Sequence, residues 1–258
     1  MFNFLKKNKK DNKDVDENLR LVDNTTPFGI REAYKALYTN ILYLNISDKC
    51  KKIAVTSALP SEGKSCLSAN LACSLAQNSE DKRVLLIDAD MRAPKAAKLF
   101  SIEGRPHGLS EYLAGIDETP ALRYLPEHKI TILTSGGRTV NPTKLAGSTK
   151  MAELIKLMEA EFDYIIIDTP PITVVTDALL LSEYINGYII STLADRSNVN
   201  SLDEALGLLN QVGAEVYGIV LSALRLKDNG GKYGKYGKYG KYGKYGKYNV
   251  YNKEDGAD

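Results

Sequence analysis

Cysteine is scarce in this chain, and its placement excludes more than its number does. The three cysteines, Cys50, Cys66 and Cys73, show neither metal-ligand spacing nor an even disulfide set, which suits a reducing compartment. No apolar run approaches the ~20 residues needed to cross a bilayer. The first residues offer only Phe2, Phe4 and Leu5 before Lys6, Lys7, Lys9 and Lys10, so a signal-peptide hydrophobic region is missing as well. The expectation is a cytoplasmic protein unless a partner holds it at a membrane. Charge of one sign is not in excess either, because the net charge is +2, a small value that hides an uneven distribution. With 258 residues the chain can bury a full α/β core as one domain.

What is present centres on Ala54-Val55-Thr56-Ser57-Ala58-Leu59-Pro60-Ser61-Glu62-Gly63-Lys64-Ser65. A short apolar run, Ile53 to Val55, enters a loop of small and turn-prone residues. The loop ends in Gly-Lys-Ser, and a helical pattern follows (Leu67, Asn70, Leu71, Ser74, Leu75) that also carries Cys66 and Cys73 as core or near-core thiols. Strand, loop and helix in this order make a phosphate-binding loop. Backbone N–H groups at the helix N-terminus and the Lys64 ammonium neutralise phosphate, and the Ser65 hydroxyl can bind Mg²⁺. The usual first glycine of such a loop is absent, and Ala58 holds its place.

Two continuous apolar runs support this reading, since parallel strands buried on both faces have that composition. Val84-Leu85-Leu86-Ile87 delivers Asp88-Ala89-Asp90-Met91-Arg92, and Tyr164-Ile165-Ile166-Ile167 delivers Asp168-Thr169-Pro170-Pro171. In open α/β sheets ligands sit beyond the carboxyl ends of strands. Three strands therefore aim a phosphate loop and three carboxylates at one region, the composition of a Mg–nucleotide site.

The remaining pattern alternates strand and helix, which predicts a mostly parallel sheet covered by helices on both faces. Helices are expected over Gly29–Leu44, Leu109–Leu113, Ser148–Ala160, Asp177–Tyr184 and Asn200–Val212, and further strands over Lys129–Leu133, Tyr188–Thr192 and Val216–Leu221. The first of these helices carries Glu32, Lys35 and Tyr38 at intervals of three, either a solvated face or a ridge for self-association. The domain plan is a polar tail over 1–27, an α/β domain over 28–228 and a tail over 229–258.

The last segment changes character abruptly. Six copies of Gly-Lys-Tyr run from Gly231 to Tyr248, and Tyr251 extends the series Tyr233, Tyr236, Tyr239, Tyr242, Tyr245 and Tyr248. Such a composition cannot bury enough surface to offset its ordering entropy and reads as disordered, as does the first tail. Alternating Lys and Tyr suits single-stranded nucleic acid, but the tyrosines can also be substrates, each gaining roughly −1.5 to −2 charge on phosphorylation. Beside a site able to transfer a phosphoryl group, the substrate reading is the most economical. Two other readings remain: an ATPase that hydrolyses ATP to position a cargo or polymer on a membrane, and a non-enzymatic binder of nucleic acid or an anionic polymer.

Taken together, the loop Ser57–Ser65, the run Leu86–Arg92, the run Ile165–Pro171 and the tyrosine cluster resemble the bacterial tyrosine kinases of the capsular and exopolysaccharide type, in their form without a membrane segment. That family is related to the partition and septum-positioning P-loop ATPases. The ATPases carry a signature lysine early in the loop, where this chain has Leu59 and Pro60.

The resemblance implies ATP-dependent autophosphorylation of the tail tyrosines in trans, within a ring-shaped homo-oligomer such as an octamer. It also implies a membrane-embedded activator or chain-length regulator that recruits the kinase to the inner membrane face. Protein-tyrosine substrates and a phosphotyrosine phosphatase complete the implied partners, and nucleic acid is not among them. The family's helix before the loop carries Glu-x-x-Arg-x-x-Arg for oligomerisation. Glu32 matches, whereas Lys35 and Tyr38 replace the arginines and lose the bidentate fork. An asparagine often follows the last strand near the adenine; here Ser222 or Ala223 stands there.

With ATP and Mg²⁺ as cofactors, the loop residues Pro60, Ser61, Glu62, Gly63, Lys64, Ser65 and Cys66 are expected to hold the nucleotide. Arg92 either contacts phosphate or pairs with an acid. Ser65 and Asp168 are expected to bind the metal. Asp88 and Asp90 would share metal binding and acceptance of the tyrosine proton, with Lys64 stabilising the transferred charge.

Overall fold

Four successive apolar residues in a strand leave it nowhere to lie except between two layers of helix, and that constraint organises this fold. The computed structural model describes residues 20–104, 107–194 and 196–222. Within them, seven strands form one sheet in the order β3-β4-β2-β5-β1-β6-β7. The strands are β1 (Lys51–Ser57), β2 (Val84–Asp88), β3 (Arg123–Leu125), β4 (Ile130–Leu133), β5 (Tyr164–Asp168), β6 (Gly187–Leu193) and β7 (Val216–Ser222). All neighbours pair in parallel except β3 and β4, which are antiparallel. The mostly parallel α/β architecture read from the sequence is the one observed.

One face of the sheet carries α1 (Phe28–Leu42), α2 (Lys64–Asn78) and α3 (Ala96–Leu99), which close a core around Leu71, Leu75, Leu86 and Ile166. The opposite face is covered by α4 (Leu109–Leu113), α5 (Pro142–Ala146), α6 (Thr149–Glu161) and α7 (Val199–Gln211), over Leu85, Ile87, Ile165 and Ile190. Helix α2 is a special case. Its alanines and serines let it lie between the sheet and α1 with Leu67–Ala76 buried. Two of the later helices start on side-chain caps: Ser148 accepts from Met151 N–H at 3.2 Å and Asn198 from Ser201 N–H at 2.8 Å.

Two expectations need correction. The stretch Asp177–Tyr184 is not an α-helix but a single 3₁₀ turn, Leu179–Leu181, within irregular backbone. The Ala178 carbonyl accepts the buried Tyr188 hydroxyl at 2.6 Å, and the bonds from Leu181, Ser182 and Tyr184 N–H are of the i→i+3 kind. Strand β3 was not expected. It has three residues, two of them exposed, too few for a legible alternation. The short helices α3 and α5 escaped for the same reason.

No helix among the described residues is long and apolar enough to cross a membrane.

Candidate functional site

The phosphate loop follows β1 and folds tightly into α2. Ser61 and Gly63 both lie in the left-handed region, at φ 65° and 82°. Gly63 caps the helix, and the first intrahelical bond runs from Leu67 N–H to Gly63 O at 2.9 Å. The N–H groups of Lys64, Ser65 and Cys66 are left without intrahelical acceptors at the positive end of the helix dipole. Such a turn can surround an anion with N–H groups.

Sheet register then places the carboxylates. Asp88 and Asp168 are direct partners across β2 and β5, and Val55, just before the phosphate loop, is the partner of Asp168 on β1. Asp88 is 0 % exposed and Asp168 1 %. Asp90 lies two residues beyond Asp88, and its Oδ2 accepts from Lys64 Nζ at 2.5 Å. Lys64, Asp88, Asp90 and Asp168 thus meet in one buried cluster. Burial opposes charge on Lys64, but the three aspartates outweigh it and hold the ammonium above its ordinary pKa. Burial, reinforced by the neighbouring Asp168, pushes the Asp88 carboxyl well up. Asp168 is raised by burial too, against the pull of Lys64.

Hydrogen bonding divides the roles these groups can play. Asp90 has both oxygens engaged, since its Oδ1 accepts from Arg92 N–H at 3.3 Å and Ala93 N–H at 3.0 Å while Oδ2 holds Lys64. Asp88 uses only Oδ2, which accepts from Lys95 N–H at 3.1 Å and Ala96 N–H at 3.0 Å. Asp88 Oδ1 and Asp168 Oδ2 are buried without any hydrogen-bond partner. Two orphaned carboxylate oxygens on paired strands are costly unless something electropositive comes to them. Such oxygens fit a hard divalent cation or an incoming proton. Among the described residues no three carboxylate, imidazole or thiolate groups converge into a ready-made cage, so phosphate oxygens and water would complete the shell, the usual habit of Mg²⁺.

The other expected residues are placed as follows. Ser65 is buried at the foot of the loop, with Lys64 Nζ 3.4 Å from its hydroxyl. Cys66 turns its thiol away from the loop to the Arg20 carbonyl, 3.3 Å away, so only its backbone faces the anion position. Arg92 makes a bidentate pair with buried Asp177, at 2.8 and 3.1 Å, and also donates to Thr143 Oγ at 2.7 Å. Of the two readings of Arg92, pairing with an acid is the one seen. Glu62 is buried and directs its carboxylate back into the loop, accepting from Leu59 N–H at 2.8 Å.

On α1, Lys35 and Glu32 pair with each other at 2.8 Å across an exposed helix face. Tyr38 departs from that stripe. Its hydroxyl donates to Asn78 O at 3.0 Å at the end of α2, which ties the two helices together within one chain. Ser222 ends β7, whereas Ala223 and the tyrosines Tyr233, Tyr236, Tyr239, Tyr242, Tyr245, Tyr248 and Tyr251 lie outside the described residues, as does most of the first tail.

Sequence reasoning missed several members of this site. Ser68, one turn beyond Lys64, donates to Lys64 O at 2.7 Å and lies 3.2 Å from Asp168 Oδ1. Its spacing from Lys64 on a helix was a usable signal. Asp177, Thr143, Ser191 and Ser197 gave none, because their partners are distant in the chain.

With this geometry in place, comparison with known proteins gives the site a context. The family model described as ParA, NUBPL iron-transfer P-loop NTPase, matches residues 49–250. Tyrosine-protein kinase CpsD of Streptococcus pneumoniae serotype 4 is 38 % identical over 199 residues, covering 77 % of this chain and 86 % of that protein. Tyrosine-protein kinase etk of Escherichia coli is 31 % identical over 207 residues, 79 % of this chain but 28 % of its own length. The solved kinase domain of Escherichia coli tyrosine kinase ETK superposes with a TM-score of 0.70 at 29 % identity, covering 78 % of this chain and 80 % of that domain. The chain therefore spans most of the streptococcal kinase and about a quarter of the longer enterobacterial one. A phosphate loop facing three strand-end aspartates, in a chain this similar to such relatives, belongs to the bacterial protein-tyrosine kinases of the ParA-like P-loop NTPase class.

Proposed function

We propose that this kinase transfers the γ-phosphoryl group of Mg·ATP to tyrosines of its own C-terminal cluster, between neighbouring copies, and that the phosphorylated tail regulates capsular or exopolysaccharide synthesis and export. The observation that carries the proposal is the buried meeting of Lys64, Asp88, Asp90 and Asp168, with two carboxylate oxygens left unpaired. Phosphoryl transfer asks mainly for positioning and neutralisation of charge. The N–H groups from Ser61 to Cys66 and the Lys64 ammonium hold the β- and γ-phosphates, and Asp90 fixes Lys64 in place. Ser65 and Asp168 would hold Mg²⁺, which would supply neutralisation of the charge that develops on the phosphates.

Asp88 then takes the remaining task. As the bond from the tyrosine oxygen to the γ-phosphorus forms and the bond to the β,γ-bridging oxygen breaks, Asp88 Oδ1 accepts the phenolic proton and ADP leaves. A carboxylate raised by burial is better matched to a phenol than an ordinary one. Arg92, Asp177 and Thr143 brace the loops beside this position. Glu32 and Lys35 on the exposed face of α1 remain available for contact with a second copy in a ring. A membrane-embedded activator would recruit the kinase to the inner membrane face, and a phosphotyrosine phosphatase would reverse the reaction.

Intact-protein mass after incubation with Mg·ATP tests the proposal, with Lys64→Met and a truncation after Asn229 as controls, and the activator's cytosolic segment added once found. The expected result is a ladder of increments of about 80 Da, one per phosphoryl group. It should require Lys64 and disappear with the tail. Unchanged mass with steady ADP release would contradict it and favour a positioning ATPase.

A further inference from the structure

Glu62 places a carboxylate inside a loop whose proposed work is to hold phosphates, where a like charge should repel the ligand. It is 4 % exposed, and its bonds run to a backbone N–H and a hydroxyl rather than to a cation. Oε2 accepts from Leu59 N–H at 2.8 Å, across the loop. Oε1 accepts from the Ser197 hydroxyl in the segment that follows β6. The main-chain oxygen of Glu62 accepts from Ser191 Oγ at 2.6 Å, on β6 itself. Ser197 is held in turn, because its oxygen accepts from Leu193 N–H at 2.9 Å and its N–H donates to Leu193 O at 3.1 Å.

The flanking backbone shows what this network opposes. Ser61 and Gly63, on either side of Glu62, are the two left-handed residues of the loop. A non-glycine residue such as Ser61 stays there only when its surroundings over-determine it. We infer that Glu62 is a positioning residue which, through Ser197 and Ser191, braces the phosphate loop against β6 and the segment after it, so that the loop's N–H groups already point at the nucleotide phosphates before binding. The carboxylate's repulsion of phosphate is outweighed by the ordering it imposes. The β6–α7 segment and the phosphate loop respond to nucleotide as one piece.

This inference rests on the nucleotide reading of the loop, and calorimetric binding of Mg·ADP to the full chain separates the two. The parent's affinity tests the nucleotide reading, and the ratio of each variant to the parent tests the brace. Glu62→Ala leaves the Leu59 N–H and the Ser197 hydroxyl without their acceptor and should weaken Mg·ADP by about tenfold. Ser197→Ala should weaken it by about threefold to tenfold, and the double variant by no more than Glu62→Ala alone, since both cut one network. Glu62→Gln, whose amide can accept from Leu59 and donate to Ser197, should return to within about threefold of the parent. Parental affinity in both alanine variants, with only a lower Tm, would make the brace merely structural and overturn the inference. Tighter binding in Glu62→Ala would overturn it as well, by showing repulsion to be the larger effect. If Glu62→Ala fails to fold, Ser197→Ala and Glu62→Gln still decide.

Discussion

The centre of the sheet and its outer strand follow opposite rules. Every residue of β2 and β5 is buried, and their pairing runs without interruption from Val84–Tyr164 to Asp88–Asp168. No residue of β7 is buried, and its pairing with β6 contains a register irregularity at Tyr188 and Ile189. A slip of one residue at the centre would move Asp168 away from Asp88 by about 3.3 Å. It would also carry every side chain to the wrong helical layer. At β7 a bulge costs little, because few side chains depend on the register. The chemistry therefore sits where register is best defended.

The largest effect should come from Lys64→Met. Removing the one ammonium among three aspartates should slow phosphotyrosine formation on the order of 10²–10³-fold, read by initial rates with saturating Mg·ATP. A variant with more than a third of the parental rate would break the contrast between centre and edge at its chemical end. Next, Ile166→Ala on β5, at 0 % exposure, should cost about 2–5 kcal/mol in urea unfolding. Ile219→Ala on β7, at 45 % exposure, should cost under about 1 kcal/mol. Equal losses would show that β7 is packed as firmly as β5.

A pH series sharpens the same contrast. Burial and Asp168 raise the Asp88 carboxyl to about 7 in the folded protein without nucleotide, against about 3.9 for an unfolded aspartate. Between those values the native state binds a proton that the unfolded state does not, so stability falls as pH rises through this window. In Asp88→Asn that part of the slope should vanish, as followed by Tm between pH 4 and pH 8. The smallest effect belongs to the surface. Exposed His107 is held above its ordinary pKa by the half-buried Asp117. Its contribution to stability is present below pH 6.5 and lost as pH rises past the folded value. His107→Gln should flatten Tm against pH only slightly, and less than Asp88→Asn does.

The same division explains what the sequence could show. Val84–Ile87 and Tyr164–Ile167 read as double-buried strands because nothing but apolar residues occupies them, and each run ends directly on its aspartate. Gly-Lys-Ser after a short apolar run located the loop even with Ala58 in place of glycine. The misses lie where no local pattern exists. Asp177 became an acceptor for Arg92, 85 residues away, rather than a helix residue. Tyr38 reached the end of α2, 40 residues on, rather than standing in an exposed stripe with Glu32 and Lys35. Which aspartate is left with a free oxygen depended on backbone N–H groups from Lys95 and Ala96, and their direction is set by the turn into α3 rather than by their identity.

The central claim is that the ends of β1, β2 and β5 together form a Mg–nucleotide site. Calorimetric titration of ADP into the parent and into Asp168→Asn, each with Mg²⁺ and with EDTA, tests it most directly. The account predicts that Mg²⁺ tightens ADP binding at least about tenfold in the parent and by less than about twofold in Asp168→Asn. The same Mg²⁺ dependence in both proteins would contradict it, because the unpaired oxygen of Asp168 would then have no part in holding the ion.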